Sequence, residues 1–148
     1  MQSREKYFVL PNQSIHDIPK DVENLYFGGY GNEENLTVLD FSSFGFTQLR
    51  SITIGNKCFK HVREFVLDGL EELESVKIGK WCFRISYEER DDEVCRITNC
   101  PNLRELEIGH ESFEDFKQFE LSNVNSLQSI QFGGYCFYYT KKCILKGE

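Results

Sequence analysis

The sequence has few of the residues and patterns on which several protein classes depend. Its 148 residues include only three prolines and 11 glycines, too few for a low-complexity or collagen-like chain. No uninterrupted apolar run approaches the roughly 18 residues of a membrane-spanning helix. The N-terminal segment MQSREKYFVLPNQS has no long apolar stretch after its charges, so we expect no secretory signal. The net charge of −7 disfavours a nucleic-acid partner, because such binding depends on neutralising phosphates.

The motifs of catalytic and metal-binding sites are also missing. The histidines His16, His61 and His110 lie in no HExxH motif, and no serine occupies a GxSxG turn. Cys58 and His61 could form a catalytic pair, but Cys58 belongs to a repeated core position described below. The acidic run around 88–93 lacks the ligand spacing of an EF-hand. We therefore predict a protein that is not an enzyme, with no catalytic residues, metal or cofactor.

What the sequence does contain is an internal repeat. Four segments share the pattern apolar-x-x-apolar-x-apolar-Gly, namely LRSITIG, LESVKIG, LRELEIG and LQSIQFG. They begin at Leu49, Leu73, Leu103 and Leu127, which are 24, 30 and 24 residues apart. An earlier copy, VENLYFG, begins at Val22, 27 residues before Leu49. The alternation within each copy is typical of a half-buried strand.

Two further sets of equivalent positions, or columns, recur at the same spacing as this pattern. A turn column contains Cys58-Phe59, Cys82-Phe83, Ser112-Phe113 and Cys136-Phe137. A second alternating triplet occurs at 65–67, 95–97, 119–121 and 143–145, with less regular copies at 39–41 and 8–10. No unit of this size can bury its own apolar side, so neighbouring units must stack. The sequence therefore predicts a mostly β chain, with two short strands per 24-residue repeat, parallel ladders and little helix.

The boundaries of the repeat units, and the turns and loop between their strands, follow from these columns. The recurrent glycines at 28, 55, 79, 109 and 133 predict a strand end that needs either a positive φ or a close backbone approach. The six extra residues of the third unit lie between Phe83 and Cys95, in a charged stretch that we expect to form a surface loop. Residues 1–148 form a single repeat domain, with units of roughly 8–28, 29–55, 56–79, 80–109 and 110–133 and a partial unit at 134–148.

Five of the six cysteines fit the same columns. Because cysteine exchanges with Ser112 in one column and with Phe65 and Phe119 in another, we interpret the cysteines as small core residues with free thiols. Disulfides and, less favourably, a metal site remain as alternatives. Free thiols favour a reducing compartment and hence a cytoplasmic location. Two glycosylation sequons, at 12–14 and 35–37, keep an extracellular location open.

These residues resemble those of a known family. The apolar-x-x-Leu-x-apolar core at a 24-residue period is similar to a leucine-rich repeat. The Ile-Gly-x-x-Cys/Ser-Phe element with its second strand resembles the BspA-like branch of microbial eukaryotes, and the opening IPKDVENLYFGG resembles the FNIP-type variant. Glycine stands where the usual pattern has an asparagine after the strand. The resemblance implies a solenoid that recognises proteins or surfaces and has no catalytic residues.

Two sets of exposed positions are candidates for binding a protein partner. The first strand of each repeat unit has outward-facing positions, which form rows that include Thr53, Lys77, Glu107 and Gln131. We expect Lys77 to pair with Glu107 across neighbouring strands. Simple solubility would also explain these polar rows. The second set lies two residues after each glycine and consists of Tyr30, Lys57, Trp81, Glu111 and Tyr135.

The second set is the more suggestive of the two. Lys57 and Glu111 indicate that the position tolerates water, so we expect Tyr30, Trp81 and Tyr135 to be partly exposed. Exposed Trp and Tyr are enriched at binding hot spots. Alternatively, each ring covers the core of its neighbour.

The C-terminal segment suggests a second mode of contact. Residues 143–147 open another second-strand unit, and no capping unit follows. We expect either a fragment of a longer array or an end covered by another chain. The sequence therefore predicts a non-enzymatic interaction module that binds through its exposed face. The alternative is a structural component that contacts its neighbours through open ends.

Overall fold

The computed structural model describes residues 4–84 and 92–147, so most of the charged loop predicted after Phe83 lies outside the described residues. The described part of the chain consists of short strands and two 3₁₀ helices, at Ile15–Asp17 and Phe41–Ser43. The strands are β1 (Tyr7–Val9), β2 (Asn24–Phe27), β3 (Val38–Asp40), β4 (Ser51–Ile54), β5 (Glu64–Asp68), β6 (Ser75–Ile78), β7 (Val94–Thr98), β8 (Glu105–Ile108), β9 (Gln118–Ser122), β10 (Ser129–Phe132) and β11 (Lys142–Lys146).

The strands form two parallel sheets. The first sheet has six strands in the order β1-β2-β4-β6-β8-β10, and the second has five in the order β11-β9-β7-β5-β3. From β2 onwards the chain alternates between the sheets, and each strand pairs in parallel with the next member of its own sheet. The predictions of a mostly β chain, parallel ladders and little helix are therefore confirmed.

The N-terminal triplet at 8–10 does not follow the prediction. We expected it to be a second-column strand, but β1 pairs with β2 in the first sheet, with Tyr7 beside Leu25 and Val9 beside Phe27. The 3₁₀ helix Ile15–Asp17 follows β1, where later units have a strand of the second sheet. Ser14 caps this helix by accepting a hydrogen bond from the His16 amide. The earliest part of the chain therefore differs from the repeated pattern.

Phenylalanine rings fill the space between the two sheets. The turn-column rings are stacked, with centroid distances of 5.4 Å for Phe59–Phe83, 4.4 Å for Phe83–Phe113 and 5.1 Å for Phe113–Phe137. Phe65 and Phe119 of the second sheet pack against the same column. Offset stacking at these distances adds to the stabilisation that burial alone provides. The high phenylalanine content is thus used to join successive units.

Three of the five recurrent glycines are required for close backbone approach. A Cβ atom on Gly109 would lie 2.5 Å from the carbonyl carbon of Gly79, and one on Gly133 would lie 2.5 Å from the amide nitrogen of His110. The positive φ angles occur later in the turn, in two columns of non-glycine residues, and all eight lie between 54° and 63°. One column consists of Lys57, Trp81, Glu111 and Tyr135, and the other of Phe59, Phe83, Phe113 and Phe137. Of the two explanations offered for these glycines, close approach holds for Gly79, Gly109 and Gly133.

Cysteine and serine exchange in the turn column because both side chains link one unit to the unit before it. Cys82 Sγ donates to the carbonyl of Gly55 at 3.0 Å, and Ser112 Oγ donates to the carbonyl of Gly79 at 2.7 Å. The Cys82 amide in turn donates to Ser112 Oγ at 2.9 Å. A small side chain that both donates and accepts is therefore needed here.

All six cysteines are free thiols, and four of them are buried: Cys58, Cys82, Cys95 and Cys100. Burial raises the pKa of Cys95, and it raises the pKa of Cys100 to about 11. The hydrogen bond with Cys58, together with burial, raises the pKa of Cys82. Cys82, Cys95 and Cys100 are therefore protonated core groups at neutral pH. The hydrogen bond with Cys82 instead lowers the pKa of the Cys58 thiol to about 7.

Candidate partner-binding surface

The outward side of the first sheet carries the predicted polar rows, here called the ladder face: Asn24, Ser51, Ser75, Glu105, Ser129, Tyr26, Thr53, Lys77, Glu107 and Gln131. The parallel register places Thr53 beside Lys77, and Lys77 beside Glu107. Lys77, Glu107 and Gln131 are exposed, and Thr53 is half-buried. These four residues therefore form one continuous row on the outward side of the sheet, exposed at three of its four positions.

The ion pair on this face differs from the predicted one. Lys77 Nζ lies 3.6 Å from Glu105 Oε1, in the neighbouring row, although Glu107 lies directly opposite. Glu105 also accepts a 2.7 Å hydrogen bond from Ser75 Oγ. The hydroxyl of Ser75 and the charge of Lys77 lower the pKa of Glu105. A long lysine side chain reaches the diagonal carboxylate, and the prediction of a Lys77–Glu107 pair was wrong.

The placement of Tyr30 also contradicts the prediction. Its side chain is only 3% exposed, and its hydroxyl donates to the carbonyl of Gln13. The Tyr30 amide donates to Cys58 Sγ at 3.5 Å, and the Tyr30 carbonyl accepts from the Phe59 amide at 3.1 Å. The first unit is one residue shorter after Gly28, so Tyr30 falls in the inward turn column with Cys58. It is therefore a core residue.

Trp81 and Tyr135 lie on a shared flank beside the ladder face. We call this the aromatic flank and define it by Lys57, Trp81, His110, Glu111, Tyr135, Tyr138 and Tyr139. Lys57 Nζ lies 5.6 Å from the centroid of the Trp81 ring, and the Trp81 indole N–H donates to Glu111 Oε2 at 3.3 Å. Trp81 is half-buried, whereas Tyr135 is 56% exposed.

His110 connects the two aromatic residues, a role that the sequence columns did not indicate. Its ring makes edge contacts with Trp81 at 6.5 Å and with Tyr135 at 5.8 Å, measured between centroids. Its Nε2 lies 2.9 Å from Glu111 Oε2. Tyr135 contacts Tyr138, and Tyr138 contacts Tyr139, which extends the flank towards the last strands. The flank is therefore a continuous row of rings with one carboxylate at its centre.

The backbone of this flank is held by the following unit. Lys57, Trp81 and Glu111 all have positive φ, and each amide donates to a carbonyl one unit further on. The distances are 2.9 Å to Lys80, 2.9 Å to His110 and 2.8 Å to Gly134. Tyr135 has the same conformation, with φ of 63°. Positive φ in non-glycine residues is unfavourable by itself, so these hydrogen bonds help to maintain it.

No protein family, curated protein or solved structure was found to match this chain. In the part of the chain that the structure describes, no helix is long and apolar enough to span a membrane. The described His, Cys, Asp and Glu residues form no group of three that could hold a metal ion. The evidence for function therefore comes from the surfaces of the molecule.

The last strands of both sheets expose apolar side chains, and the sequence columns did not predict which ones. Ile130 of β10 is 50% exposed and Leu145 of β11 is 67% exposed, whereas the equivalent Leu106 and Leu121 are buried one unit earlier. We define the C-terminal end surface as the exposed or half-buried residues of this region: Ile130, Phe132, Cys136, Phe137, Cys143 and Leu145. Within the described residues, β10 and β11 each pair with one neighbouring strand, and these positions are accessible there.

A second concave region lies beside β3, and the sequence columns did not indicate it. This groove of about 530 Å³ is lined by residues of the 11–16 segment and by Tyr30, Glu33, Leu36, Val38 and Phe44. It occupies the position where the 3₁₀ helix replaces a strand of the second sheet. Its lining includes three titratable side chains, those of His16, Tyr30 and Glu33. Burial and the negative charge of Glu33 raise the pKa of Tyr30.

Proposed function

We propose that the chain is a leucine-rich-repeat solenoid of BspA-like type that acts as a non-enzymatic protein-interaction module. A protein partner binds the ladder face through Thr53, Lys77, Glu107 and Gln131, and the neighbouring aromatic flank through Trp81 and Tyr135. The observation that carries this proposal is the juxtaposition of an exposed polar row with a row of accessible rings.

The chemistry of these surfaces supports the proposal. Trp and Tyr bury large areas at little cost in conformational entropy, and they are enriched among residues that dominate binding energy. The polar row next to them supplies charges of both signs, which favours specific orientation of a partner. Repeat proteins use such extended faces for recognition because the stacked units present one side chain per strand.

Lysine crosslinking in native extract tests the location of the contact. Lys77 lies on the ladder face and Lys57 on the aromatic flank, whereas Lys142 and Lys146 lie on β11. We expect crosslinks between the partner and Lys77 or Lys57. Crosslinks confined to β11 would contradict binding through the ladder face.

Binding of the partner identified in this way is then measured with purified proteins. The double variant Trp81→Ala/Lys77→Glu should weaken binding at least tenfold, about 1.4 kcal/mol, because it removes a large ring and reverses an exposed charge. Lys60→Gln serves as a control, since this exposed lysine lies between β4 and β5 and belongs to neither the ladder face nor the aromatic flank. Unchanged affinity in a double variant that retains its circular dichroism spectrum would refute the proposal.

A second candidate function is that of a structural component that contacts its neighbours end-on. The specific observation in its favour is the C-terminal end surface, where Leu145 and Ile130 are at least half exposed. Exposed apolar positions of this kind are typical of interaction sites. Leu145→Lys should then weaken assembly while the Trp81→Ala/Lys77→Glu variant assembles normally, and sedimentation velocity distinguishes these results.

A further inference from the structure

The turn column contains cysteine in two successive units, at Cys58 and Cys82. We propose that this pair is a redox-modification site, at which a small hydroperoxide converts the two thiols into a reversible disulfide that joins units 56–79 and 80–109. The inference is independent of the proposed binding of a partner. Three observations support it: the contact between the two sulfurs, the spacing of the two turns and the chemical difference between the two thiols.

The two sulfur atoms are neighbours in the folded protein. Cys58 Sγ and Cys82 Sγ are hydrogen-bonded to each other across the boundary between the units. The Cys58 amide also donates to Cys82 Sγ, in the same way that the Cys82 amide donates to Ser112 Oγ at 2.9 Å. The repeat geometry therefore places the two reacting atoms side by side.

The backbone holds the two turns at a separation that a disulfide can span. The Phe83 amide donates to the Cys58 carbonyl at 3.1 Å. The Lys57 amide donates to the Lys80 carbonyl at 2.9 Å, and the preceding strands β4 and β6 pair in parallel register. Neighbouring strands lie about 4.8 Å apart, and disulfides join Cα atoms that are roughly 4.4–6.8 Å apart. A disulfide therefore fits the spacing of these turns.

The two thiols differ in the way that disulfide formation requires. The hydrogen bond with Cys82 lowers the pKa of Cys58 to about 7, so a substantial fraction of this group is thiolate at neutral pH. The same hydrogen bond, together with burial, raises the pKa of Cys82, which remains a thiol. Cys58 is therefore the attacking sulfur, and Cys82 is the sulfur that completes the disulfide.

The reaction has two steps. The Cys58 thiolate attacks one oxygen of the hydroperoxide and the O–O bond breaks, which gives a sulfenic acid. The leaving oxygen takes up a proton and departs as an alcohol, or as water when the oxidant is hydrogen peroxide. The Cys82 sulfur then attacks the Cys58 sulfur, the S–O bond breaks, and the sulfenic hydroxyl leaves as water with the Cys82 proton. The two sulfurs together lose two electrons, which the peroxide gains.

Burial determines which oxidants reach the pair. Both cysteine side chains are 0% exposed, so an oxidant enters only when the turn opens locally. A small hydroperoxide needs a smaller opening than a bulky disulfide reagent does. We therefore expect Cys58 and Cys82 to react with hydrogen peroxide more readily than with a bulky thiol reagent, which the exposed Cys143 should intercept.

The site is specific to these two units. Among the six cysteines, all of which lie within the described residues, no other pair occupies successive units of one column. In the turn column Ser112 separates Cys82 from Cys136. In the second sheet Phe119 separates the other two column cysteines. Disulfide formation within the folded chain should therefore be confined to Cys58 and Cys82.

Oxidation of the native chain tests the inference. The reduced protein is treated with hydrogen peroxide, denatured in the presence of N-ethylmaleimide to block the remaining thiols, and digested with trypsin. Cleavage places Cys58 in peptide 58–60 and Cys82 in peptide 81–84. Mass spectrometry should show these two peptides as the main disulfide-linked product, with the loss of two hydrogen atoms. Dithiothreitol should separate them completely.

Cys82→Ser is the matched control because the next unit has serine at the same position. Ser112 Oγ donates to the carbonyl of Gly79, as Cys82 Sγ donates to the carbonyl of Gly55. This variant should retain its circular dichroism spectrum and give no linked peptide. Ser112→Cys should instead add a second linked product, between position 112 and Cys82 or Cys136, because it extends the same arrangement by one unit.

Two results of the digestion would overturn the inference. One is that peptides 58–60 and 81–84 stay unlinked in native protein whose Cys143 is fully oxidised. The other is that Cys58 and Cys82 are linked equally to Cys95 or Cys100, since the products would then reflect unspecific exchange. The urea midpoint of the oxidised protein should rise, because the link restricts the unfolded chain, and should return on reduction. A lower midpoint would contradict the argument from spacing.

Discussion

Gly109 provides the sharpest test of the packing between units. An alanine Cβ at this position would lie 2.5 Å and 2.6 Å from the carbonyl carbon and oxygen of Gly79, and 2.8 Å from the amide nitrogen of Lys80. These are backbone atoms, which cannot rotate away as a flexible side chain could. Gly109→Ala therefore forces neighbouring strand ends apart, and we expect a loss of stability of about 1–3 kcal/mol.

Gly28 provides a matched control because it occupies the same repeat position. A Cβ at Gly28 would have no atom within 4 Å, and its φ lies outside the left-handed region. Gly28→Ala should therefore be neutral or should stabilise the protein by about 0.4–1 kcal/mol, through reduced entropy of the unfolded chain. The two alanine variants are expected to shift the stability in opposite directions.

Urea unfolding followed by far-ultraviolet circular dichroism measures both variants. The expected result is a lower midpoint for Gly109→Ala and an unchanged or higher midpoint for Gly28→Ala, with similar slopes. The reasoning would be refuted if Gly109→Ala stayed within about 0.5 kcal/mol of the unmodified protein, the range of ordinary surface substitutions. Equal destabilisation by both alanines would also refute it, because local contact would then not determine the effect.

Two further predictions concern the thiols and the acid stability. Cys143 is exposed, so a thiol reagent should modify it rapidly in the native protein, and Cys143→Ser should remove this fast phase. In denaturant without reductant all six thiols should react. A count of fewer than six reactive thiols would contradict the free-thiol interpretation. Hydrogen bonds from Arg104 and Arg50 lower the pKa of the Glu74 carboxyl below its usual range. The resulting stabilisation is present above the unfolded pKa and is lost as the pH falls through the folded pKa. Arg50 and Arg104 are exposed, so screening by solvent keeps this stabilisation small. Urea midpoints between about pH 5 and pH 3 should therefore fall more for the unmodified protein than for Glu74→Gln, and parallel curves would contradict this.

The sequence predicted most of the strand pattern because apolar alternation and a fixed period are local signals. The first-sheet strands from β4 to β10 each fall within one copy of the motif, and the second-sheet strands from β5 to β11 include the predicted triplets. The triplet at 39–41 is only partly a strand, because β3 ends at Asp40 and Phe41 begins a 3₁₀ helix. The triplet at 8–10 was misplaced because its alternation is the same in either sheet. Only the pairing of β1 with β2 identifies the sheet to which it belongs.

The candidate surface was less predictable because it depends on single-residue offsets and on side-chain reach. One residue fewer after Gly28 moves Tyr30 from the exposed column to the inward column beside Cys58. Lys77 reaches Glu105 on the diagonal, which a list of directly opposite residues does not reveal. The connecting role of His110 also arises only when successive turns are placed side by side.

The left-handed turns make each unit depend on both of its neighbours. The amides of Lys57, Trp81 and Glu111 find their acceptors in the unit that follows, whereas the amides of Phe83 and Phe113, in the same turns, find theirs in the unit before. Melting of one unit would therefore leave the turns on both sides of it without a partner. Destabilisation of one unit is expected to raise amide hydrogen exchange in both neighbouring units together.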